Sequence, residues 1–166
     1  MTIKNKIIIT TPIVCIFFLL TAIILYNNCS SPKYFISNIN HIMKIYIPDN
    51  KITYFTKDSG DFHGDGNTIM ILTLTDEDNN EFKKNLDVRW KKLNQKSKIY
   101  NYLWGSENTG GMLNERLYPA SDTVFILFDY TNKKTNEQID FNDITDFYYV
   151  GYSYKNGIIY IQKTNI

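Results

Sequence analysis

Cysteine and histidine are scarce in this chain of 166 residues, which contains two of each. Cys15 lies within an apolar run and Cys29 just beyond it, so the polar remainder has no cysteine and cannot rely on disulfide bonds. His41 and His63 are far apart in sequence, and one histidine is too few for a typical zinc site. These shortages argue against a disulfide-stabilised fold and against the common zinc-binding motifs.

Catalytic signatures and an excess of positive charge are also missing. No GxSxG, HExxH, P-loop, GxGxxG or CxxC pattern occurs, and nothing marks a pair of carboxylates as catalytic. All 17 acidic residues and 16 of the 18 basic residues follow residue 26, which leaves that part of the chain with a net charge of −1. A nucleic-acid-binding domain would carry a basic surplus. The sequence therefore predicts no catalytic residue, no cofactor, no bound metal and no nucleic-acid partner.

The most distinctive feature that is present is an uncharged apolar run, Ile7–Tyr26, which follows Lys4 and Lys6. A helix of this length spans about 30 Å, the thickness of the hydrocarbon core of a bilayer. The run is longer than the apolar core of a cleaved signal peptide, which is about 7–15 residues. We predict an uncleaved transmembrane helix, with signal-peptide cleavage or lipidation of Cys29 as the alternatives.

Positive charge on the N-terminal side of this run sets the predicted topology. The short segment 1–6 carries two lysines and no acid, so it is expected to stay in the cytoplasm. Residues 27–50 then form a juxtamembrane segment with a short helix, and residues 51–166 form an extracytoplasmic domain. The prediction is a single-pass protein of the cell membrane, with the lipid bilayer as its first partner.

The domain combines strand patterns with short amphipathic helices. Apolar spacing predicts helices near 32–43, 76–86 and 96–104, and strands near 52–56, 68–75, 123–130, 144–154 and 158–163. Residues 131–143 lack such a pattern and are predicted to form a polar loop. The strands at 68–75 and 123–130 are apolar on both faces, and Asn156-Gly157 predicts a two-residue hairpin turn. We predict an α+β fold: an antiparallel sheet of about five strands with helices packed on one face.

One loop concentrates side chains that could bind a ligand. Asp61, His63 and Asp65 alternate with Phe62 and Gly64, which resembles the start of a calcium loop. The twelfth position of that pattern is Leu72 rather than a chelating Glu, so calcium is not predicted. We predict Asp61, His63 and Asp65 as ligand-binding residues. The alternative is a glycine-rich connection whose polar side chains bond only their own backbone.

Tyrosines crowd the last predicted hairpin, which contains Tyr148, Tyr149, Tyr152, Tyr154 and Tyr160. Exposed on one face, they could bind a peptide, glycan or protein partner. Aromatic residues also favour strands, where they pack against their cross-strand neighbours. We favour packing over recognition for these side chains, and for Trp90 and Trp104.

The order of these features resembles a group of small exported or membrane-anchored proteins of Firmicutes that have no known activity. The shared features are the apolar N-terminus, Phe62-His63-Gly64-Asp65-Gly66 before a strand, Pro119 before an aromatic strand, and the final tyrosine-rich hairpin. Members carry a loop close to HGGFHGDG, so Ser59 stands in place of a histidine and Asp61 in place of a glycine. The resemblance implies location and architecture, but no reaction.

The sequence as a whole favours a binding domain over an enzyme. Its partner would be a protein, an envelope component or a small ligand, and one specific form is an immunity or inhibitor protein at the cell surface. The alternative is a small enzyme or metal-binding domain that uses the loop around His63.

Overall fold

The computed structural model describes residues 14–21, 31–48, 51–58, 66–94, 97–105 and 120–165. The chain divides into two compact units, Met1–Ile45 and Tyr46–Ile166.

The first unit contains two helical stretches. Residues 14–21 are α-helical, and helix α1 spans Pro32–Met43. Ser31 caps α1, because its Oγ accepts a hydrogen bond from the backbone N–H of Tyr34 at 3.2 Å, and Pro32 occupies the first helical position. The helix ends at Lys44, which adopts a left-handed conformation. The helix predicted near 32–43 is confirmed.

Among the described residues, no helix has the length and hydropathy needed to span a bilayer. Of the predicted span Ile7–Tyr26, only residues 14–21 belong to the described part of the chain. In that part, the Thr21 hydroxyl donates a hydrogen bond to the carbonyl oxygen of Phe17 at 2.7 Å. The transmembrane helix therefore stays a prediction.

The second unit is an α+β domain built on one antiparallel sheet. Its elements, in chain order, are β1 Lys51–Lys57, β2 Gly66–Thr73, α2 Asp76–Lys84, β3 Lys91–Lys92, α3 Lys98–Trp104, β4 Thr123–Asp129, β5 Lys134–Thr135, a 3-10 turn Asn136–Gln138, β6 Asp146–Ser153 and β7 Ile158–Asn165. The strand order is β1-β2-β7-β6-β4-β3, with β5 also paired to β4. Every described strand pair is antiparallel. The predicted α+β class and antiparallel sheet are confirmed.

The sheet has seven strands rather than the five predicted. The two additional strands, β3 and β5, each contain only two residues. Both lie on the outer edge of β4, where Lys91–Lys92 pairs with Val124 and Phe125, and Lys134–Thr135 pairs with Phe128 and Asp129. Strands this short carry no alternation of apolar and polar residues, which is the signal that identifies a strand in a sequence.

Helices pack on both faces of the sheet, so the prediction of helices on one face is wrong. Helix α3 places Ile99 and Leu103 in a buried cluster with Phe147 and Tyr149 of β6. Helix α2 instead packs Phe82 edge-on against Tyr152, with ring centroids 4.8 Å apart. Tyr149 and Tyr152 point to opposite faces because successive side chains of a strand alternate. Two-sided burial of β4 and β6 requires cover on both faces.

The final hairpin is confirmed, but its turn has four residues rather than two. β6 and β7 meet at the pair Ser153 and Ile158, and residues 154–157 form the turn. The buried Asp122 carboxylate organises this turn by accepting hydrogen bonds from Ser153 Oγ and from the backbone N–H of Lys155. A tight two-residue turn of the predicted type would need two consecutive residues with positive φ angles. Within residues 154–157 only Gly157 has a positive φ, and the side-chain hydrogen bonds to Asp122 stabilise the longer turn instead.

The Asn136 carboxamide takes the place of a strand residue between β3 and β5. Its Oδ1 accepts a hydrogen bond from the Leu127 N–H at 2.9 Å, and its Nδ2 donates to the Arg89 carbonyl oxygen at 2.6 Å. The side chain is 2 % exposed, so neither bond can be replaced easily by water. Asn136 also adopts a positive φ of 47°, which asparagine tolerates better than most residues. The prediction that 131–143 is only a polar loop is therefore wrong.

Replacing Asn136 with Ala should lower the free energy of unfolding by about 2–4 kcal/mol, because the Leu127 N–H and the Arg89 carbonyl would each lose a buried partner. Urea unfolding of the full chain in detergent, followed by the fluorescence of Trp90 and Trp104, measures this change. The matched control is Gln138→Ala in the same turn, since Gln138 is exposed. Equal unfolding midpoints for the two variants would contradict the assignment.

Two fully buried tyrosines of β6 differ in how their hydroxyls are satisfied. Tyr152 Oη donates to Asn79 Oδ1 at 2.5 Å, whereas Tyr149 Oη has no hydrogen-bond partner among the residues that the structure describes. The Tyr149 hydroxyl lies over Gly151, where a Cβ would overlap it. Burial raises the pKa of both phenols, that of Tyr152 to about 12, with the Asp122 carboxylate adding to the effect at Tyr152.

Changing each tyrosine to Phe should therefore have opposite effects. Tyr149→Phe removes an unsatisfied buried hydroxyl and should raise the free energy of unfolding by about 1 kcal/mol, whereas Tyr152→Phe loses a hydrogen bond and should lower it by about 1–2 kcal/mol. The two variants serve as controls for each other in the same urea experiment. Destabilisation of similar size by both changes would show that the Tyr149 hydroxyl has a partner in solution.

Candidate functional site

The residues predicted to bind a ligand, Asp61, His63 and Asp65, lie outside the described part of the chain. The structure does describe both ends of their loop, since β1 and β2 are antiparallel neighbours and the Asp58 N–H donates to the Asn67 carbonyl at 2.8 Å. β1 and β2 are thus paired at one edge of the sheet. The role of the loop in binding stays a prediction, and the described residues contain no group of three or more potential metal ligands.

A buried polar network begins at the first residues of β2. Thr164 Oγ1 donates to Asn67 Oδ1 at 2.8 Å, and Gln162 Nε2 donates to Thr164 Oγ1 at 2.7 Å. Gln162 and Thr164 are 1 % and 5 % exposed. Their polar atoms are satisfied within the network, which makes it a structural link between β2 and β7 rather than an open site.

The tyrosine-rich hairpin forms core rather than a recognition face. Tyr148, Tyr149 and Tyr152 are at most 2 % exposed. Phe82, Trp90 and Tyr152 pack edge-to-face with one another, and Trp104 packs edge-to-face against Tyr149 at 5.5 Å. The packing interpretation is confirmed for Tyr148, Tyr149 and Tyr152, whereas Tyr154 and Tyr160 are half-buried.

The described domain contains a cleft of about 500 Å³ between α3 and the segment that follows β5. Nine residues line it: Ser97, Lys98, Ile99, Tyr102, Glu137, Ile139, Asp140, Phe141 and Asn142. Ligand sites for small molecules typically have volumes of about 300–1,000 Å³. The cleft is therefore large enough for a small organic ligand.

The first wall of the cleft is the beginning of α3. Ser97 caps this helix, because its Oγ accepts a hydrogen bond from the Tyr100 N–H at 3.1 Å. The cap fixes the first turn, in which Ile99 is buried and Lys98 is exposed. Tyr102 lies one turn further along, half-buried against Phe147 at a ring-centroid distance of 6.2 Å.

The second wall comes from residues 137–142 and depends on a tight turn. Asp140 Oδ1 accepts a hydrogen bond from the Asn142 N–H at 3.0 Å, and the Asp143 N–H donates to the Asp140 carbonyl. This turn presents Phe141 to Tyr102, with ring centroids 4.6 Å apart. The aromatic pair joins the two walls and forms, with Ile99 and Ile139, the apolar part of the cleft.

Electrostatics near the aromatic pair are set by a buried acid. Asp129 is 0 % exposed, and its two carboxylate oxygens accept hydrogen bonds from the Asn132 N–H and Nδ2, both at 2.9 Å. Burial, and secondly the charge of Asp129, raise the pKa of Tyr102 above its usual value. Tyr102 therefore presents a protonated hydroxyl at neutral pH, which can donate or accept a hydrogen bond.

Sequence reasoning missed this cleft, because residues 131–143 were predicted to be a polar loop. A signal was present in the alternation Ile139-Asp140-Phe141, where two large apolar residues interrupt a polar segment. The helix that forms the other wall was predicted, although its starting point was placed two residues too early.

No known protein family, curated protein or solved structure shows detectable similarity to this chain. The resemblance to Firmicutes proteins that share an FHGDG loop therefore stays a prediction.

Proposed function

We propose that this chain is a single-pass membrane protein whose extracytoplasmic domain binds a small ligand in the cleft and catalyses no reaction. The observation that carries the binding function is the cleft itself, which combines an apolar interior with charged and polar groups at its border. That combination is typical of small-molecule sites, where apolar contacts provide affinity and a few polar groups fix orientation.

The chemistry of the lining supports binding over catalysis. The Ser97 hydroxyl accepts the hydrogen bond that caps α3. Among the nine described lining residues there is no histidine or cysteine, so these residues offer no nucleophile paired with a neighbouring imidazole or thiol. Tyr102 stays protonated at neutral pH and cannot act as a base there.

The membrane anchor is supported by the helical residues of the first unit. Val14, Ile16, Phe17, Phe18, Leu19 and Leu20 are each at least 50 % exposed, although all are large and apolar. A helix that is apolar on every side is stable where its surroundings are lipid. Thr21 has the only polar side chain among residues 16–21. Its hydroxyl donates a hydrogen bond to the Phe17 carbonyl oxygen and therefore needs no water as a partner.

Blocking the cleft should abolish ligand binding without unfolding the domain. Asn142 lines the cleft and is exposed, so Asn142→Trp should fill the space between the walls and remove binding. Gln138→Trp is the matched control, since Gln138 is exposed but does not line the cleft. Ligand-observed NMR with a fragment library and the full chain in lipid nanodiscs measures the effect.

Fragments that bind the wild type and the Gln138→Trp variant, but not the Asn142→Trp variant, are the expected result. If no fragment binds the wild type and loses its binding in the Asn142→Trp variant, the cleft is not a ligand site.

Placing charges in the apolar run should release the chain from the membrane. Arginine at the centre of a membrane helix costs about 2.5–3.5 kcal/mol, so Phe17→Arg combined with Leu20→Arg should transfer the protein to the soluble fraction after alkaline carbonate extraction. The control combines Tyr34→Arg with Tyr46→Arg, two exposed aromatic residues outside the run. Equal retention of both double variants would contradict the anchor.

Orientation is tested separately with a C-terminal reporter that is active only outside the cytoplasm. Activity is expected, because Lys4 and Lys6 should hold the N-terminus inside. An inactive reporter on a membrane-bound chain would reverse the orientation and leave the anchor intact.

A further inference from the structure

The border of the cleft carries charges of both signs on opposite walls. Lys98 lies on the α3 wall, whereas Glu137 and Asp140 lie on the wall formed by residues 137–142. Among the described residues no ion pair joins Lys98 to either carboxylate. Lys98 and Glu137 are exposed, so their charged groups are available to a ligand.

Between these charges the cleft is apolar. Ile99 and Ile139 are both 6 % exposed, and the rings of Tyr102 and Phe141 pack at 4.6 Å. A ligand in this space would contact apolar side chains along its body and opposite charges at its ends. A ligand with a single charge would satisfy one wall and meet a like charge on the other.

We propose, on the basis of the ligand-binding function above, that the cleft binds a small zwitterion with an apolar side chain: a free α-amino acid or a short peptide. Its carboxylate pairs with the Lys98 ammonium, and its own ammonium pairs with Glu137 and Asp140. The apolar side chain lies against Ile99, Ile139 and the Tyr102–Phe141 ring pair. A volume of about 500 Å³ leaves room for a ligand larger than one amino acid.

Four forms of one amino acid test the charge requirement, because they share the same side chain. Phenylalanine is the zwitterion, N-acetylphenylalanine the anion, phenylalanine amide the cation and N-acetylphenylalanine amide the neutral form. Binding of each form to the full chain in nanodiscs is measured by calorimetry in mildly acidic, low-salt buffer, which keeps the amines protonated and the surface charges unscreened. Phenylalanyl-phenylalanine, measured alongside, distinguishes a peptide from a free amino acid as the preferred source.

We expect phenylalanine or its dipeptide to bind most tightly, and each loss of one charge to weaken binding about threefold, as is usual for exposed ion pairs. Lys98→Gln should remove the preference for phenylalanine over its amide, and Glu137→Gln should reduce the preference for phenylalanine over N-acetylphenylalanine. Lys92→Gln, an exposed lysine outside the cleft, should leave both preferences unchanged.

The outcomes separate this inference from the proposed function. If the four forms bind equally, or if a singly charged form binds best, the zwitterion is wrong while the cleft remains a binding site. The same holds if none of the forms binds but the fragments that depend on Asn142 do. If neither the amino acid forms nor any fragment binds, both proposals are wrong.

Discussion

The Asn136 carboxamide occupies the place of a peptide group on the outer edge of β4. β3 pairs with one half of that edge and β5 with the other, so the Leu127 N–H between them would otherwise face no strand. By bonding both Leu127 and the Arg89 carbonyl, Asn136 joins segments that are 9 and 47 residues away along the chain. Residues 137–142 follow directly, so this side chain contributes to the position of the second cleft wall, together with the Asp140 turn and the contact of Phe141 with Tyr102.

A second constraint is the burial of the central strands on both faces. No residue of β4 or β6 is exposed. Helix α2 packs against Tyr152 on one side of β6, and helix α3 packs against Tyr149 on the other side. Large aromatic rings fill both layers, and their edge-to-face contacts add to the free energy gained from burial. The Tyr149 hydroxyl has no hydrogen-bond partner among the described residues, so the contribution of Tyr149 to this packing comes from its ring, which contacts Trp104 and Phe125.

Local signals were sufficient for most of the secondary structure. Ser31, Thr75 and Ser97 each cap a helix at or next to its predicted beginning, and the apolar patterns of β2 and β4 identified their two-sided burial. β3 and β5 could not be predicted in the same way, because two residues contain no period, and the bonds that Asn136 makes to Leu127 and Arg89 are tertiary contacts. The placement of the helices on both faces likewise depends on tertiary contacts, such as that of Phe82 with Tyr152.

The site was harder to predict than the fold, for a physical reason. The sequence draws attention to Asp61, His63 and Asp65 because their chemistry is concentrated in one short loop, which lies outside the described residues. The cleft instead assembles ordinary residues from two segments that are about forty positions apart, and none of them forms a motif.

The lining of this cleft fits the proposed role in recognition. Burial and the Asp129 charge raise the pKa of Tyr102 further above neutral pH, and Ser97 is engaged in capping α3. The charged groups Lys98 and Glu137 remain in solvent, where they lose little hydration on pairing and gain little energy from it. In the proposed complex, affinity therefore comes from the apolar body of the ligand, while the opposed charges select which ligand is held and in which direction it lies.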